Sequence, residues 1–304
     1  MKKKVLIISG GISKERLISL DTGNQVFKEL KKNGYRVKIS EPDNYLEKNI
    51  KIFKPNVIFN ALHGQFGEDG YIQTILDKFK IPYTHSGAIA SSIAMDKEIS
   101  KKLFIKNKIK TPKFFTYSYD ITKSNLIKKI NKNLSFPVVI KPLNEGSSVN
   151  VYISSKKTLD KILYKLKVYK KVLIEEFIGG REIQVAIMGD KKLGAIELKP
   201  KRKFYDYQAK YDSKSKTQHI IPVDLPKSKF NKVMDIAYKA HKIIGCRGVT
   251  RSDFKFFNGN FYLLELNTQP GMTKLSLVPE IALYRGISFL KLIEWMLKDA
   301  SKKK

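Results

Sequence analysis

The order of hydrophobic and polar residues divides the chain into strands and helices, because the two elements repeat their apolar positions with different periods. In the first third, short apolar runs alternate with helical segments, one of which stops at Gly34. This alternation predicts a parallel α/β domain that ends near Met95. Its predicted strands are Val5 to Ile8, Tyr35 to Ile39 and Val57 to Leu62.

Beyond Met95, the same pattern predicts two further sheets. The strands of the first sheet are Lys113 to Tyr117, Phe136 to Pro142, Val151 to Ile153 and one that begins at Val172. A helix from Lys156 to Val168 precedes the last of these strands. The second begins with a hairpin, Ile183 to Met188 and Leu193 to Leu198. An amphipathic helix from Lys229 to Ile244, a loop from Thr268 to Pro279 and a terminal helix from Phe289 to Leu297 complete the prediction.

A second hairpin carries the strongest chemical signal. The runs Gly248 to Phe254 and Tyr262 to Thr268 flank Asn258-Gly259, a dipeptide typical of tight hairpin turns. Residues two apart on a strand share a face, which predicts one surface with four polar side chains: Arg251, Asp253, Glu265 and Asn267. Carboxylate and amide oxygens suit a hard cation such as Mg²⁺. The alternative is a solvated hairpin face with an Arg–Asp pair.

Three polar residues at strand ends are further candidates. Glu15 opens the first helix, where it either complements the helix dipole or faces the strand ends and holds a cationic group. His63 lies in the glycine-rich loop from Leu62 to Gly70 and is either a loop or core histidine or a ligand contact. Lys141 follows four apolar positions, so we expect it to meet an anion.

Three loops offer possible ligand contacts. The loop from Asn144 to Asn150 could wrap a polyphosphate with its backbone N–H groups, although it lacks a Walker ending and an ordinary hairpin loop is the alternative. The segment from Val172 to Glu182 indicates a hinge between sheets, where a planar ligand could lie against Phe177. The three tyrosines between Phe204 and Tyr211 fall in an irregular stretch that we interpret as an active-site lid.

Size and cysteine content restrict the class of protein. A chain of 304 residues can bury a large core and should form two or three domains. Its single cysteine, Cys246, excludes an internal disulfide and a cysteine-based zinc site. The apolar stretch that follows the basic start ends at Ser9, too short for an export signal. No apolar run approaches the roughly 18 residues of a membrane span, so we expect a cytoplasmic protein without membrane contact.

The net charge of +31, from 59 Lys and Arg against 28 Asp and Glu, raises the possibility of nucleic-acid binding. The lysines are spread through every segment of the chain. We therefore expect no nucleic-acid partner, although a basic surface would concentrate anionic substrates such as nucleotides.

Taken together, five motifs resemble those of the D-alanine–D-alanine ligases of the ATP-grasp superfamily, and the resemblance covers nearly the whole chain. The motifs are Gly10-Gly11-x-Ser13-x-Glu15-Arg16, Ala61-Leu62-His63-Gly64, Glu145-Gly146-Ser147-Ser148-Val149, Tyr205-Asp206-Tyr207-x-Ala209-Lys210-Tyr211 and Asn267-Thr268-x-Pro270-Gly271-Met272-Thr273. The resemblance implies an α/β fold, α+β in the ATP-grasp part, with three domains. These would be an N-terminal parallel α/β substrate-binding domain (1–96), a central ATP-grasp domain (97–180), and a C-terminal ATP-grasp domain (181–304) that carries the metal site and a lid loop at about 200–218.

The resemblance also implies a role for each matching residue. Contacts to ATP would come from Lys97, Lys141, Glu175, Glu176, Phe177, Ile178, Glu182 and Lys210. Two Mg²⁺ or Mn²⁺ ions would bind Asp253, Glu265 and Asn267. Glu15, hydrogen-bonded within a set that includes Ser147 and Tyr211, would hold the ammonium of the first D-alanine. His63 would lie near the carboxylate of that substrate, and Ser276 with the Leu277 amide would take the second D-alanine's carboxylate. Arg251 and the Gly271 N–H would stabilise the tetrahedral oxyanion.

The implied activity is ATP-dependent joining of two D-alanines through an acyl phosphate, for peptidoglycan precursors. The alternatives are an ATP-grasp ligase of different acceptor specificity, making D-Ala–D-Ser or D-Ala–D-lactate for example, and a basic nucleic-acid-binding protein without catalysis. Lys210-Tyr211 favours the dipeptide over the ester. Gln208, Asn150 and Leu275 depart from the common family pattern, in the lid and near the substrates. We expect a homodimer.

Overall fold

Three β-sheets form the frame of the protein. The computed structural model describes residues 3–199 and 217–301. The first sheet has the order β2-β1-β3 and is parallel throughout, as the sequence predicted. Its strands are β1 (Lys4–Ile8), β2 (Arg36–Ser40) and β3 (Val57–Asn60), and its helices are α1 (Arg16–Lys32), α2 (Leu46–Phe53), α3 (Tyr71–Lys78) and α4 (Ala88–Met95). Strands β1 and β3 are apolar and almost wholly buried, because helices cover both faces of a parallel sheet.

The central sheet is antiparallel and has the order β4-β7-β5-β6. Its strands are β4 (Phe114–Ser118), β5 (Val138–Pro142), β6 (Tyr152–Ser154) and β7 (Lys171–Glu176). The helices are α5 (Lys97–Lys106), which leads into this sheet, α6 (Lys123–Asn133) and α7 (Leu159–Leu166), which is followed by a 3-10 turn, Lys167–Tyr169.

The third sheet has the order β10-β9-β8-β11-β12 and is also antiparallel. Its strands are β8 (Arg181–Met188), β9 (Lys191–Lys199), β10 (Gln218–Ile220), β11 (Val249–Phe257) and β12 (Asn260–Asn267). Its helices are α8 (Lys227–Ile244), α9 (Leu277–Tyr284) and α10 (Phe289–Ala300). Both predicted hairpins are present, and the segment 177–180 links the central sheet to the third one, as expected of the predicted hinge.

One predicted loop was too long. The sequence favoured irregular structure from Thr268 to Pro279, but α9 already begins at Leu277. A proline in the interior of a helix usually ends or kinks it, because its ring clashes with the preceding turn. Here Pro279 is the third residue of α9, where a backbone N–H has no partner within the helix to lose. Most of the predicted lid, at about 200–218, falls on residues 200–216, which lie outside the described part of the chain.

The hydrophobic clusters show which sheets share a core. One cluster joins Val5 and Phe59 of the first sheet to Ala186 of the third sheet and Leu292 of α10. The central sheet packs on its own cluster, formed by β4 to β7 with α6 and α7, and centred on residues such as Ile140. The first and third sheets are therefore joined by apolar packing. Among the described residues, no helix has the length and apolar character needed to cross a bilayer.

The start of α5 provides a test of local stability. The Asp96 carboxylate caps this helix by accepting hydrogen bonds from the backbone N–H groups of Glu98 and Ile99, both at 2.9 Å. We expect Asp96→Ala to lower the free energy of unfolding by about 1 kcal/mol, because these donors lose their acceptor. Chemical denaturation measures the change. Asp96→Asn keeps the accepting oxygen and is the control, and an equal loss in both variants would contradict the capping role.

Candidate active site

A continuous cleft lies where the three sheets meet. It consists of two adjoining cavities, both of which are lined by Lys97, Glu145, Gln184, Asp253 and Glu265. Every predicted site residue that the structure describes lines one or both of them. The first holds Glu15, His63, Lys97, Ser147, Arg251, Asp253, Glu265, Asn267, Gly271, Ser276 and Leu277, and the second adds Lys141, Glu175, Glu176, Phe177, Ile178 and Glu182. Lys210 and Tyr211 lie outside the described residues.

The hairpin of β11 and β12 brings its four polar residues onto one face. In the register, Arg251 lies opposite Asn267 and Asp253 lies opposite Glu265. The Arg251 guanidinium donates two hydrogen bonds to Asp253, at 2.8 and 3.0 Å. Asp253 is only 4% exposed, so this is a buried pair at the floor of a cleft and not a solvated hairpin face.

A β-bulge in the hairpin widens the surface that β12 offers to the cleft. The register moves from Asp253 opposite Glu265 to Phe254 opposite Leu263, so Leu264 is skipped. An extra residue of this kind re-aims neighbouring side chains. As a result the consecutive residues Leu264 and Glu265 both line the second cavity, one apolar and one acidic.

Buried lysines and one shared carboxylate form the positive part of the cleft. Glu175 accepts from Lys141 Nζ at 2.5 Å through one oxygen, and its other oxygen lies 2.9 Å from Lys101 Nζ. Burial favours the neutral form of a lysine, and it lowers the pKa of Lys101 to about 8 although Glu175 opposes the shift. Burial likewise lowers the pKa of Lys97. That ammonium donates to the Glu145 carbonyl at 2.6 Å and lies 3.5 Å from Glu265.

Glu15 is held at the other end of the cleft. It immediately precedes α1, and its carboxylate accepts a hydrogen bond from the Ser147 hydroxyl of the central region. A Cβ atom at Gly146 would come within 3.0 Å of Glu15 Oε2, and one at Gly64 within 2.7 Å. The two glycines therefore let the backbone approach the carboxylate closely, which explains their place in the sequence motifs.

His63 has both ring nitrogens engaged. Nδ1 lies 3.0 Å from Glu68 and Nε2 lies 3.2 Å from the Thr22 hydroxyl. The ring is buried, and it also lies 3.9 Å from the position that a Cβ atom would take at Gly271. The histidine is thus fixed in orientation at the edge of the first cavity.

The loop after β12 ends in a helix N-terminus that faces the same cavity. Ser276 precedes α9, and its hydroxyl accepts from the Thr273 N–H at 2.9 Å. The first backbone N–H groups of a helix have no partners within it and attract anions. The Ser276 hydroxyl and the Leu277 N–H are therefore placed to take a carboxylate.

The second cavity has an apolar slot with polar rims. Val139, Phe177 and Leu264 supply apolar walls that suit a flat aromatic ring. Glu182 lies at one rim, and its Oε1 accepts from Lys255 Nζ at 2.7 Å.

The oxygen atoms in the cleft fit a hard divalent cation shared with a phosphate. Asp253 and Glu265 are cross-strand neighbours, and Asn267 adds an amide oxygen. The part of the chain that the structure describes holds no group of three or more His, Cys, Asp or Glu side chains arranged for a metal. Two carboxylates and one amide are, however, the kind of incomplete set that Mg²⁺ uses when phosphate and water complete its shell.

The sequence reasoning assigned no role to several residues that shape the cleft. Gln184 lines both cavities, and its side-chain oxygen lies 3.2 Å from the Arg251 guanidinium. Lys255 comes two residues after Asp253 on β11, on the same face of the strand, and it lines the second cavity. Lys101 follows Lys97 by one helical turn, a spacing that could have indicated a shared face. The pairing of Glu68 with His63 had no comparable signal.

Comparisons with known proteins match the chain to one family of enzymes. The family model described as D-ala D-ala ligase C-terminus matches residues 103–298. The D-alanine–D-alanine ligase of Pelagibacter ubique is 73% identical over 301 residues, which is 99% of each chain. The enzyme of the same name from Rhodospirillum rubrum is 40% identical, again over 99% of both chains.

Solved structures give the same result for the fold. A D-alanine–D-alanine ligase from Bacillus anthracis superposes with a TM-score of 0.86 at 33% identity, covering 98% of this chain and 97% of that one. A complex of the Bacillus anthracis enzyme with ATP superposes with a TM-score of 0.84 at 30% identity and with the same coverage. By its sequence, its three-sheet ATP-grasp architecture and the residues of its cleft, this chain belongs to the D-alanine–D-alanine ligase family.

Proposed function

We propose that the protein joins two molecules of D-alanine into D-alanyl-D-alanine, a peptidoglycan precursor, at the expense of ATP. The observation that carries this proposal is the continuity of the cleft. An acid suited to an ammonium, Glu15, shares one cavity with the Arg251 hairpin, and that cavity adjoins the lysine-rich one through Lys97 and Glu265.

ATP would lie in the second cavity, with its adenine in the slot beside Phe177 and the segment 175–178. Glu182 would accept from the ribose hydroxyls. Lys97 and Lys141 would bind the phosphates, since phosphoryl transfer depends mainly on position and charge neutralisation. Two Mg²⁺ ions held by Asp253, Glu265 and Asn267 would supply further neutralisation of the phosphate charge.

The first D-alanine would lie between Glu15, which holds its ammonium, and His63, which lies near its carboxylate. Transfer of the γ-phosphoryl group to that carboxylate produces ADP and an acyl phosphate, which makes the carbonyl carbon a good electrophile. By the family resemblance, Lys210 and Tyr211 of the predicted lid would also take part, Lys210 at the γ-phosphate and Tyr211 in the hydrogen-bonded set of Glu15.

The second D-alanine would place its carboxylate on the Ser276 hydroxyl and the Leu277 N–H at the start of α9. Its amine attacks the acyl phosphate through a tetrahedral oxyanion and releases phosphate. Arg251 and the Gly271 N–H would donate to that oxyanion. Fixed donors of this kind are each worth about 2.7–4 kcal/mol in other enzymes.

Two finer points belong to the same proposal. Small charged substrates and a single cysteine support a cytoplasmic location. The family resemblance supports a homodimer, which sedimentation at several protein concentrations would test.

Product analysis tests the proposed reaction directly. With ATP, Mg²⁺ and D-alanine, we expect D-alanyl-D-alanine, ADP and phosphate in equal amounts. The same incubation with a panel of D-amino and D-hydroxy acids, including D-serine and D-lactate, tests the acceptor. Phosphate release with another acid but not with D-alanine would overturn the assignment in favour of a different acceptor specificity.

Arg251→Ala should lower kcat by about 100- to 1000-fold, because the oxyanion loses a fixed donor. D-alanine-dependent phosphate release measures the change, and circular dichroism checks that the fold persists after Asp253 loses its partner. Arg36→Ala removes an exposed arginine from β2 and is the matched control. Equal activity in the two variants would contradict the role of Arg251.

The lysine cluster predicts an alkaline limit to ATP use. Lys101 is charged below pH about 8 and neutral above it, so the positive potential that attracts a triphosphate falls as the pH rises. We expect kcat/KM for ATP to begin to decline near pH 8. In Lys101→Met this group no longer titrates, and the decline should move to higher pH.

Lys102→Met is the control for this pH profile, since Lys102 is a solvent-exposed neighbour on α5. Its profile should match that of the unmodified protein. Identical alkaline limbs in all three proteins would show that Lys101 does not set the limit.

A further inference from the structure

The loop that carries Ser147, residues 145–150, has an unusual backbone. Ser147, Ser148 and Asn150 have φ angles of 49°, 57° and 56°. Residues other than glycine rarely adopt this left-handed conformation, and they keep it where surrounding contacts hold it. Two backbone hydrogen bonds, from Val149 N–H to the Gly146 carbonyl and from Val151 N–H to the Ser148 carbonyl, hold part of this shape, and contacts with residues outside the loop add to them.

The Tyr169 hydroxyl lies at the centre of such contacts. It donates to Glu145 Oε1 at 2.8 Å and accepts from Asn150 Nδ2 at 2.6 Å and from Lys14 Nζ at 3.4 Å. A phenol has one donor and two acceptor positions, so these three bonds use its full capacity. Burial and the neighbouring Glu145 raise the pKa of Tyr169, which keeps its proton in place. We call Lys14, Glu145, Asn150 and Tyr169 the Tyr169 network.

Asn150 has two functions in this network. It occupies a left-handed position, where glycine would be the least strained residue. Its side chain also adds bonds that glycine lacks, since Nδ2 donates to Tyr169 and Oδ1 accepts from Tyr152 at 3.3 Å. The departure from the family's usual glycine is thus accompanied by specific hydrogen bonds.

The network supports the back of a loop whose front lines the cleft. The Glu145 carbonyl accepts from Lys97, and the Ser147 hydroxyl donates to Glu15. The central sheet has its own hydrophobic cluster, separate from the cluster shared by the first and third sheets. Polar contacts at the cleft therefore have a large part in setting where this loop lies relative to Glu15.

We propose that Tyr169 and Asn150 are positioning residues that hold loop 145–150 over the substrate cleft, and that Lys14 ties this loop to the segment that carries Glu15. The proposal rests on the proposed ligation. Lys14 is the weakest member, because its side chain is 60% exposed and its bond to Glu145 is 3.3 Å long. The two shorter bonds of Tyr169 dominate.

Tyr169→Phe removes the three hydrogen bonds and keeps the ring. We expect the KM for D-alanine to rise about five- to thirty-fold, as Glu145 and Asn150 lose a partly buried partner. We also expect more than one phosphate per dipeptide, because a loosened loop admits water, which converts the acyl phosphate to D-alanine and phosphate. Steady-state kinetics with separate measurement of phosphate and dipeptide gives both values.

Tyr119→Phe is the matched control. Tyr119 packs on the same central cluster, and its hydroxyl donates to the Leu163 carbonyl at 2.9 Å, a bond outside the network. A merely structural effect would lower thermal stability and kcat in both variants while KM and the phosphate-to-dipeptide ratio stay unchanged. That result would overturn the proposal.

Asn150→Gly keeps the left-handed backbone conformation and removes the side-chain hydrogen bonds, so it distinguishes the two functions of Asn150. If the only requirement at position 150 is a residue that tolerates the left-handed backbone, glycine will leave the KM for D-alanine unchanged or lower it, and the proposal fails. We expect a rise in KM in the same direction as for Tyr169→Phe, and a smaller one for Lys14→Met. If the unmodified protein makes no dipeptide from D-alanine, the proposed ligation fails. If it is active but the Tyr169 and Asn150 variants match it, the positioning role alone fails.

Discussion

Keeping buried lysines charged in and beside the cleft is the constraint on which the site depends. Lys97, Lys101 and Lys141 are all buried, and a buried ammonium without a partner would lose its proton. Glu175 forms ion pairs with two of them, one through each carboxylate oxygen, and Glu265 faces the third. These acids therefore favour the charged form of lysines that burial would otherwise neutralise. The lowered pKa of Lys101, about 8, shows that the compensation is incomplete.

The distribution of the hydrophobic clusters indicates where the cleft lies. Apolar packing joins the first and third sheets, and the central sheet packs on its own cluster. The cleft between them is lined partly by loops, such as the one that carries Ser147, and partly by side chains on the faces of strands, such as Gln184 and Asp253. Polar contacts then connect parts of the chain that belong to different hydrophobic clusters. The Lys97 ammonium donates to the Glu145 backbone carbonyl, and the Ser147 hydroxyl donates to the Glu15 carboxylate.

The two sides of loop 145–150 make different contacts. Its front contacts Lys97 and Glu15, and its back is held by Tyr169. A loop in a left-handed conformation is a suitable place for such a division, because its shape depends on what surrounds it. Lys14 and Asn150 also bond to the Tyr169 hydroxyl and complete the Tyr169 network.

The sequence by itself determined the periodic elements and the local chemistry. Apolar runs and turn residues predicted the parallel first sheet and the hairpin of β11 and β12, because the alternation of strands with helices and the Asn258-Gly259 turn can be read from neighbouring residues. Every site residue that the resemblance implied and that the structure describes lines the cleft, although others that line it, such as Gln184 and Lys255, were not identified. Tertiary structure decided the rest: the sharing of Glu175 by two lysines, the bulge at Leu264, the start of α9 at Leu277 and the contacts of Tyr169. These features join residues that are far apart in the chain or depend on burial. Neither periodicity nor spacing in the sequence predicts which distant side chain will pair with a charge or accept a hydrogen bond.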